Sequence, residues 1–292
     1  MITLRPRAQP SAAWSVLSPV LALVLTLAMG SLLLMLLGKD PVRGLMVFFW
    51  EPVRTPYALG ELMVWNIGAE GQYVLGAIAA TWVALQVTPD QGPWVVIPIV
   101  MAGLLGGMAW AAITAVLRDR FNANEILVSL MLVYVAILLL NYLVYGPWKD
   151  PGGYNFPQTK TFEKITQIPR LFQGSRVTLG WVLALLGVVG LWLFLFRTRA
   201  GWGLSVSGLA PLAARYAGLS SSRALWTAML VSGGLAGLAG ALEVAGPVGQ
   251  LTPYVPVGYG FGAIIVAFVG RLHPVGLVLS ALLMSMLYIG GE

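Results

Sequence analysis

The segment Pro93–Leu117, PWVVIPIVMAGLLGGMAWAAITAVL, contains no charged side chain. About 20 mostly apolar residues are enough for a helix to cross a membrane. Seven further runs share this apolar character: Trp14–Leu37, Glu70–Thr88, Ile126–Tyr145, Val177–Phe196, Ala224–Leu242, Gly258–Gly270 and Pro274–Ile289. The last two are short or rich in glycine, and they fit either two short spans or a bent pair. The pattern predicts an all-α fold, a polytopic transmembrane helix bundle of about eight spans.

The composition of the whole chain supports a membrane location. Of the 292 residues 58% are hydrophobic and 10% are charged, and the mean hydropathy is +0.84. A soluble domain carries about 25% charged residues, so part of this surface has to face lipid. We expect residues 1–292 to form one transmembrane domain, with the first apolar run kept as a span.

Charge and cysteine content exclude several functional classes. The chain has no cysteine and a single histidine, His273, so thiolate metal sites and disulfides are excluded. The net charge of +6 is spread between apolar runs, which fits lipid headgroups better than nucleic acid. No Walker A pattern occurs, so ATP is not bound by that route. We expect no cofactor in this chain.

Two long polar segments set the expected orientation. We place residues 147–176, rich in proline and glycine, outside the cytoplasm, and residues 197–223 inside it. Lysines and arginines near the span ends are almost balanced between the two sides, so charge alone does not settle the topology. Residues 39–69 would have to return the chain to the cytoplasm, yet they contain no clean span.

Ionisable residues lie at the ends of the predicted spans and not in their middles. Proton-driven proteins place such groups within the membrane, so this pattern argues against a proton-coupled transporter and an intramembrane hydrolase. Energy would then come from a partner or from the solute gradient. Glycines four apart, such as Gly103 and Gly107 or Gly233 and Gly237, predict close helix packing; sliding of these helices during gating is the functional alternative.

The cytoplasmic segment reads RTRAGWGLSVSGLAPLAARYAGLSSSR from Arg197 to Arg223. Proline suits the first position of a helix, and glycine suits the left-handed residue that ends one. We therefore predict a short coupling helix and its terminating glycine, formed by Pro211, Leu212, Ala213, Ala214, Arg215, Tyr216 and Gly218. Leu212 and Tyr216 share one face. This helix either docks into a partner's groove or lies on lipid headgroups.

Several motifs resemble one family of transport proteins. The seven-residue stretch Asn66–Gln72, NIGAEGQ, is similar to a motif of bacterial ABC-importer permeases for nucleosides. These permeases belong to the larger group that includes the ribose and branched-chain amino acid permeases. Three further stretches resemble the same family: FNANEILVSLMLV at Phe121–Val133, AARYAG at Ala213–Gly218 and GYGFGAIIVAFVG at Gly258–Gly270. The resemblance covers about residues 66–291.

The resemblance implies a multi-subunit transporter in the bacterial inner membrane. A second permease subunit would pair with this one, two cytoplasmic ATPase subunits would power it, and an extracytoplasmic solute-binding protein would deliver the solute. The loop helix would transmit closure of the ATPases to the spans. Compared with this family, we expect one span before Asn66 and further spans beyond Glu292 to be missing from this sequence.

Five polar or aromatic residues are candidates for the solute pathway: Asn66, Glu70, Gln72, Tyr134 and Asn141. Amide side chains offer both donors and acceptors, as a nucleoside or a sugar does. Glu70 either complements the dipole of its own helix or orders the mouth of the pathway. Asn141 either bonds to another helix or contacts solute, and Tyr134 either packs or stacks on a base.

We therefore predict a permease subunit of an ATP-driven importer, with a nucleoside as the leading solute and a simple sugar as the second. Two other functions stay open. One is a gradient-driven carrier without an ATPase, and the other is a membrane scaffold without a pathway. An enzyme is the least favoured, because nucleophile–base pairs are hard to find in the spans.

Overall fold

The computed structural model describes Met35, Asp40, Val42, residues 68–171, residues 177–209, Ala214 and residues 216–290. The chain divides into two compact units, Met1–Trp65 and Asn66–Glu292, and the architecture below is that of the second. Apart from Met35, Asp40, Val42, Gly68 and Ala69, the predicted first span and the return segment lie outside the described residues. So do Asn66 and four coupling-helix residues: Pro211, Leu212, Ala213 and Arg215. The single domain over residues 1–292 stays a prediction.

The described part of the chain is helical, as predicted. Its helices are α1 (Ala69–Ala84), α2 (Val96–Phe121), α3 (Glu125–Tyr145), α4 (Gly180–Arg197), α5 (Arg199–Leu209), α6 (Ser221–Glu243), α7 (Tyr259–Val269) and α8 (Pro274–Gly290). A 3₁₀ turn at Pro93–Val95 leads into α2, and a π-helical turn at Val244–Val248 extends α6. Four of these helices, α2, α3, α4 and α6, are long and apolar enough to cross a membrane. The all-α membrane bundle is therefore confirmed.

Side-chain caps fix where two of the long helices begin. Asn124 caps α3 by accepting hydrogen bonds from the backbone N–H groups of Ile126 and Leu127. Glu125 is the first helical residue of α3 and pairs with Arg118 at 3.3 Å. Ser220 caps α6 by accepting a hydrogen bond from the N–H of Arg223 at its side-chain oxygen.

The segment between α4 and α6 contains more helix than the sequence predicted. Helix α5 was not expected, because its glycines and serines disfavour helix. Thr198 starts it by accepting a hydrogen bond from the N–H of Gly201 at its side-chain oxygen. A side chain at Gly201 would overlap the carbonyl oxygen of Phe194, so only glycine permits this tight junction with α4.

Glycine brings α1, α2 and α6 into backbone contact at the centre of the bundle. A Cβ atom on Gly107 would lie 2.6 Å from the Cα atom of Gly237, and one on Gly76 would lie 2.6 Å from the carbonyl carbon of Gly237. Such distances are too short for any side chain, so these helices touch through their backbones. The predicted packing role of Gly103, Gly107, Gly233 and Gly237 is confirmed, and we call this contact the glycine junction.

Contacts between helix ends define two ends of the bundle. Asp119 near the end of α2 binds Ser222 at the start of α6, and the ring of Phe196 at the end of α4 lies 6.2 Å from that of His273 before α8. We call this the basic end, because six arginines lie there: Arg118, Arg120, Arg197, Arg199, Arg223 and Arg271. The opposite end carries residues 146–171 and 177–179, and we call it the loop end.

The segment at the loop end is irregular, as predicted, but it is tied firmly to the bundle. The N–H of Phe162 donates to the carbonyl of Gly249 at 2.8 Å, and the N–H of Ile168 donates to that of Ala245, also at 2.8 Å. The side chains of Phe162 and Ile168 are buried in the core. This segment therefore forms part of the folded unit.

Candidate functional site: a helix junction inside the bundle and a coupling segment

Helix α1 begins inside the bundle and not at its surface. A Cβ atom on Gly71, in its first turn, would lie 3.0 Å from the Cα atom of Val133 and 3.2 Å from the indole nitrogen of Trp110. Val133 follows the start of α3 by eight residues, about 12 Å along its axis, and Trp110 precedes the end of α2 by eleven, about 17 Å. The hydrocarbon core is about 30 Å thick, so the first turn of α1 lies near mid-membrane depth.

Helix α7 begins at the same place. One carboxylate oxygen of Glu70 accepts a hydrogen bond from the N–H of Gly258 at 2.9 Å, and the other accepts one from the N–H of Gly260 at 2.6 Å. A Cβ atom on Gly260 would lie 2.6 Å from the Cα atom of Glu70, so the two backbones touch. The first turns of α1 and α7 therefore meet at one buried carboxylate.

The course of the chain around α7 explains why this helix is short. After the π-helical turn at the loop end, residues 249–258 run back into the bundle as non-helical chain. Helix α7 then needs only eleven residues, about 16 Å, to reach Arg271 at the basic end. Non-helical backbone at membrane depth is found where it is buried in protein or lines a cavity. Of the two patterns left open for residues 258–289, the structure has a half-length helix followed by the longer α8.

The position of Glu70 corrects one conclusion drawn from the sequence. The sequence places this residue at the end of a span, which suggested the membrane surface, but that end lies within the bundle and Glu70 is 1% exposed. The amino end of a helix carries a partial positive charge of about +0.5. Glu70 stands in the first turn of α1 and caps the first turn of α7, so one carboxylate compensates two helix dipoles.

Aromatic side chains surround this junction. The rings of Tyr73 and Tyr259 make an edge-to-face contact with centroids 6.1 Å apart. Two buried polar atoms close to the junction, the Tyr73 hydroxyl and the Trp110 indole nitrogen, have no hydrogen-bond partner in the described part of the protein. The junction thus combines a carboxylate, two aromatic rings and the first turns of two helices near mid-membrane depth.

Of the other predicted pathway residues that the structure describes, Gln72 lies near Glu70, whereas Tyr134 and Asn141 do not. Gln72 is buried within the bundle next to the junction. Tyr134 follows Val133 and so lies at a similar depth, but its side chain is 59% exposed on the outer face of α3. Asn141 is half-buried and lies two turns farther along α3. A side chain such as Tyr134 faces lipid or a second subunit.

The described residues of the predicted coupling helix end as the sequence indicated. Gly218 has a φ angle of +78°, and the N–H of Leu219 donates to the carbonyl of Ala214 at 2.9 Å. This pairing is the closure of a helix by a left-handed glycine. Ala214 is buried and Tyr216 is 98% exposed, so the segment is anchored on one side and presents an aromatic ring on the other.

One contact at the basic end was not predicted from the sequence. The Oδ2 atom of Asp119 accepts hydrogen bonds from Ser222 Oγ at 2.9 Å and from Trp226 Nε1 at 3.1 Å. These bonds tie the end of α2 to the start of α6, immediately after the predicted coupling helix. The sequence carries a weak signal for this contact, since the acidic Asp119 stands alone between two arginines.

Comparison with known proteins agrees with these features. A model of the family described as branched-chain amino acid transport system / permease component matches residues 57–292. The chain is 34% identical to the glucose ABC transporter permease protein TsgB13 of Haloferax volcanii, over 94% of this chain and 80% of that protein. It is 32% identical to the guanosine ABC transporter permease protein NupP of Bacillus subtilis, over 94% and 85%.

A third relative, the nucleoside ABC transporter permease protein NupB of Lactococcus lactis, is 26% identical over 94% of this chain and 83% of its own length. No solved structure matches the chain. The family match covers most of the sequence and includes the whole helix junction, from Glu70 to Gly260. The chain therefore belongs to the permease components of the branched-chain amino acid transport system family and is the permease subunit of an ABC transporter.

Proposed function

We propose that this permease forms the membrane pathway of an ATP-driven importer for a nucleoside, and that it works by alternating access. A simple sugar is the second candidate solute. In this mechanism ATP and solute bind the inward-open and outward-open states with different affinity, and these differences set the direction of transport.

The observation that carries this proposal is the likeness to a guanosine permease protein and a nucleoside permease protein over 94% of the chain. The similar likeness to a glucose permease protein supports the sugar alternative. Both solutes contain a hydroxylated sugar ring, five-membered in guanosine and six-membered in glucose, whereas only guanosine has a flat base. Contacts to the base would therefore distinguish the two solutes most clearly.

The helix junction offers suitable chemistry near mid-membrane depth. Discontinuous helices that meet within the membrane mark the solute sites of many transporters. Tyr259 is 45% exposed beside the junction, and an aromatic ring can stack on a nucleobase. Glu70 and Gln72 lie in the first turn of α1, at the junction itself. The carboxylate of Glu70 and the amide of Gln72 can therefore order this part of the pathway.

The two ends of the bundle fit different partners. Positive side chains favour the cytoplasmic side, so the basic end would face two ATPase subunits, which would hydrolyse ATP in place of this chain. Residues 197–223 would be their docking loop. Residues 147–176 at the loop end would face an extracytoplasmic binding protein. A second permease subunit would complete the pathway in the bacterial inner membrane.

The buried Glu70 also raises a gradient-driven carrier as a second candidate, because carriers of this type use intramembrane carboxylates as proton relays. A proton relay needs access to water. Glu70 is almost fully buried, and each of its oxygens accepts a backbone hydrogen bond. The arrangement therefore fits a structural contact between helices better than a relay.

Uptake by the reconstituted importer tests the solute. We expect proteoliposomes that contain the permease pair, the ATPases and the binding protein to accumulate labelled guanosine when ATP is inside. A tenfold excess of unlabelled nucleoside should reduce this uptake severalfold, while the same excess of glucose should leave it unchanged. Uptake of labelled glucose that guanosine does not inhibit would overturn the nucleoside assignment in favour of the sugar.

A further inference from the structure

The helix junction places the positive ends of two helices against each other. The first turns of α1 and α7 touch at Gly260 and Glu70, and both turns begin at mid-membrane depth. Two like partial charges in a medium of low dielectric repel each other. The Glu70 carboxylate offsets this repulsion, because each of its two oxygens accepts a backbone hydrogen bond at the start of α7, from Gly258 and from Gly260. The contact therefore depends on the charge of Glu70.

Among the described residues, few other contacts hold α7 to the bundle. It packs along α8, where Ser280 Oγ donates to the carbonyl of Val266 at 2.7 Å, and it meets α1 through its first turn. On the rest of its surface Phe261, Ile265 and Val269 are each at least 40% exposed. Within the described residues, helices α7 and α8 thus form a hairpin that meets the rest of the bundle at the Glu70 contact and, through α8 and the ring of His273, at α4.

The chain that leads into α7 is fixed at its other end. Leu251 exchanges two hydrogen bonds of 3.0 Å with Thr159, one through the threonine N–H and one through its hydroxyl oxygen. The side chain of Leu251 is fully buried. Residues 252–257 therefore run between a fixed point at the loop end and the Glu70 contact, and movement of α7 requires release at Glu70.

We propose that Glu70 is a positioning residue, a latch that holds the α7–α8 hairpin against α1, and that each transport cycle releases it. This inference rests on the proposed function, because it makes the hairpin a gate of the transport pathway. Glu70 acts through the backbone of Gly258 and Gly260 and does not itself bind solute. The hairpin would swing away from α1 in one of the two access states.

Cysteine labelling of the assembled transporter tests the latch without measuring transport. The chain has no native cysteine, so Val257→Cys, just before Gly258, gives a single reporter. The rate at which this cysteine reacts with a membrane-impermeant maleimide is measured on this subunit in two states of the transporter. One state is free of nucleotide, and the other is trapped with ATP and vanadate. We expect the two rates to differ at least fivefold, and we expect Glu70→Gln to make both equal to the faster one.

Two glycines on α7 provide a matched pair of variants that keep Glu70. Gly260→Ala places a methyl group against the backbone of Glu70 and should separate the helices, whereas Gly262→Ala meets nothing within 4 Å. We expect Gly260→Ala to reproduce the labelling of Glu70→Gln, and Gly262→Ala to label as the parent does. If the Glu70→Gln subunit does not assemble into the transporter, the comparison of Gly260→Ala with Gly262→Ala tests the latch instead.

Transport kinetics separate a latch from a purely structural contact. We expect Glu70→Gln to lower the maximal ATP-dependent uptake at least tenfold and to change KM less than twofold, and Glu70→Asp to recover part of the loss. Equal labelling rates in the two states of the parent, or unchanged rates in both Glu70→Gln and Gly260→Ala, would overturn the latch. If the parent takes up neither guanosine nor glucose but shows two rates, the proposed solute fails and the latch stands.

Discussion

Replacing Gly237 by alanine is expected to lower the melting temperature of the permease in detergent by about 2–12 °C. Gly237 lies where α1, α2 and α6 meet, and its added Cβ atom would overlap the carbonyl oxygen of Gly103 and lie 2.7 Å from the Cα atom of Gly107. Overpacking of a tight core costs about 1–3 kcal/mol, which corresponds to such a shift in a chain of this size. Backbone atoms cannot rotate away as a side chain can.

Gly190→Ala is the matched control for this substitution. Gly190 also lies within a long helix, α4, but a Cβ atom there meets nothing within 4 Å. Alanine favours helix over glycine by up to about 1 kcal/mol, so this variant should melt at the parent temperature or slightly above it. Equal melting temperatures for the Gly237 and Gly190 variants would show that the glycine junction is not needed for stability.

The second large effect is expected at the coupling segment. Tyr216→Asp should reduce the amount of ATPase that co-purifies with the permease, and ATP-dependent uptake, at least tenfold each. Tyr216 is 98% exposed in this chain, and a tyrosine of an interface often contributes 2 kcal/mol or more to binding. A loss of about 1.4 kcal/mol already weakens binding tenfold, and a buried carboxylate in its place adds a desolvation cost.

Tyr154→Asp provides the control for Tyr216→Asp. Tyr154 is 94% exposed but belongs to the segment at the loop end, so its replacement should leave the bound ATPase unchanged. The two variants have the same change in charge and size and differ only in location. If the coupling segment only rests on lipid headgroups, Tyr216→Asp will retain the ATPase as fully as Tyr154→Asp does.

Much of the helical framework could be predicted from the sequence, because its causes are local. Apolar runs of 20 or more residues identify α2 and α3, and glycines four residues apart indicate a helix face that permits close approach. Gly218 also ends its helix as expected. Spacing within one helix does not say which helix is the partner, so the meeting of Gly107 with Gly237 was not predictable.

The depth of Glu70 could not be predicted for a similar reason. A glutamate in the first turn of an apolar helix usually lies at the membrane surface, and only the tertiary fold shows that α1 begins inside the bundle. A hint was present in the length of Gly258–Gly270, which is too short to cross a membrane. The hydrogen-bond donors to Glu70, Gly258 and Gly260, lie about 190 residues away from it along the chain.

Asp119 was missed because its stabilising contacts are not local, whereas α5 was missed because its own residues disfavour helix. The glycines of α5 lower its intrinsic helix propensity. The need for glycine at position 201 becomes clear only from the structure, where the carbonyl oxygen of Phe194 leaves no room for a side chain. Asp119 gains its role from Ser222 and Trp226, more than 100 residues later. Long-range contacts of this kind leave no periodic pattern in the sequence.

The most direct test of the account is guanosine uptake by proteoliposomes in which ionophores have collapsed every proton and sodium gradient. An importer whose energy comes from ATPases bound at the basic end should still accumulate the solute above its external concentration when ATP is enclosed, and should stop without ATP. Accumulation that needs an imposed ion gradient and ignores ATP would contradict the account and would identify a gradient-driven carrier.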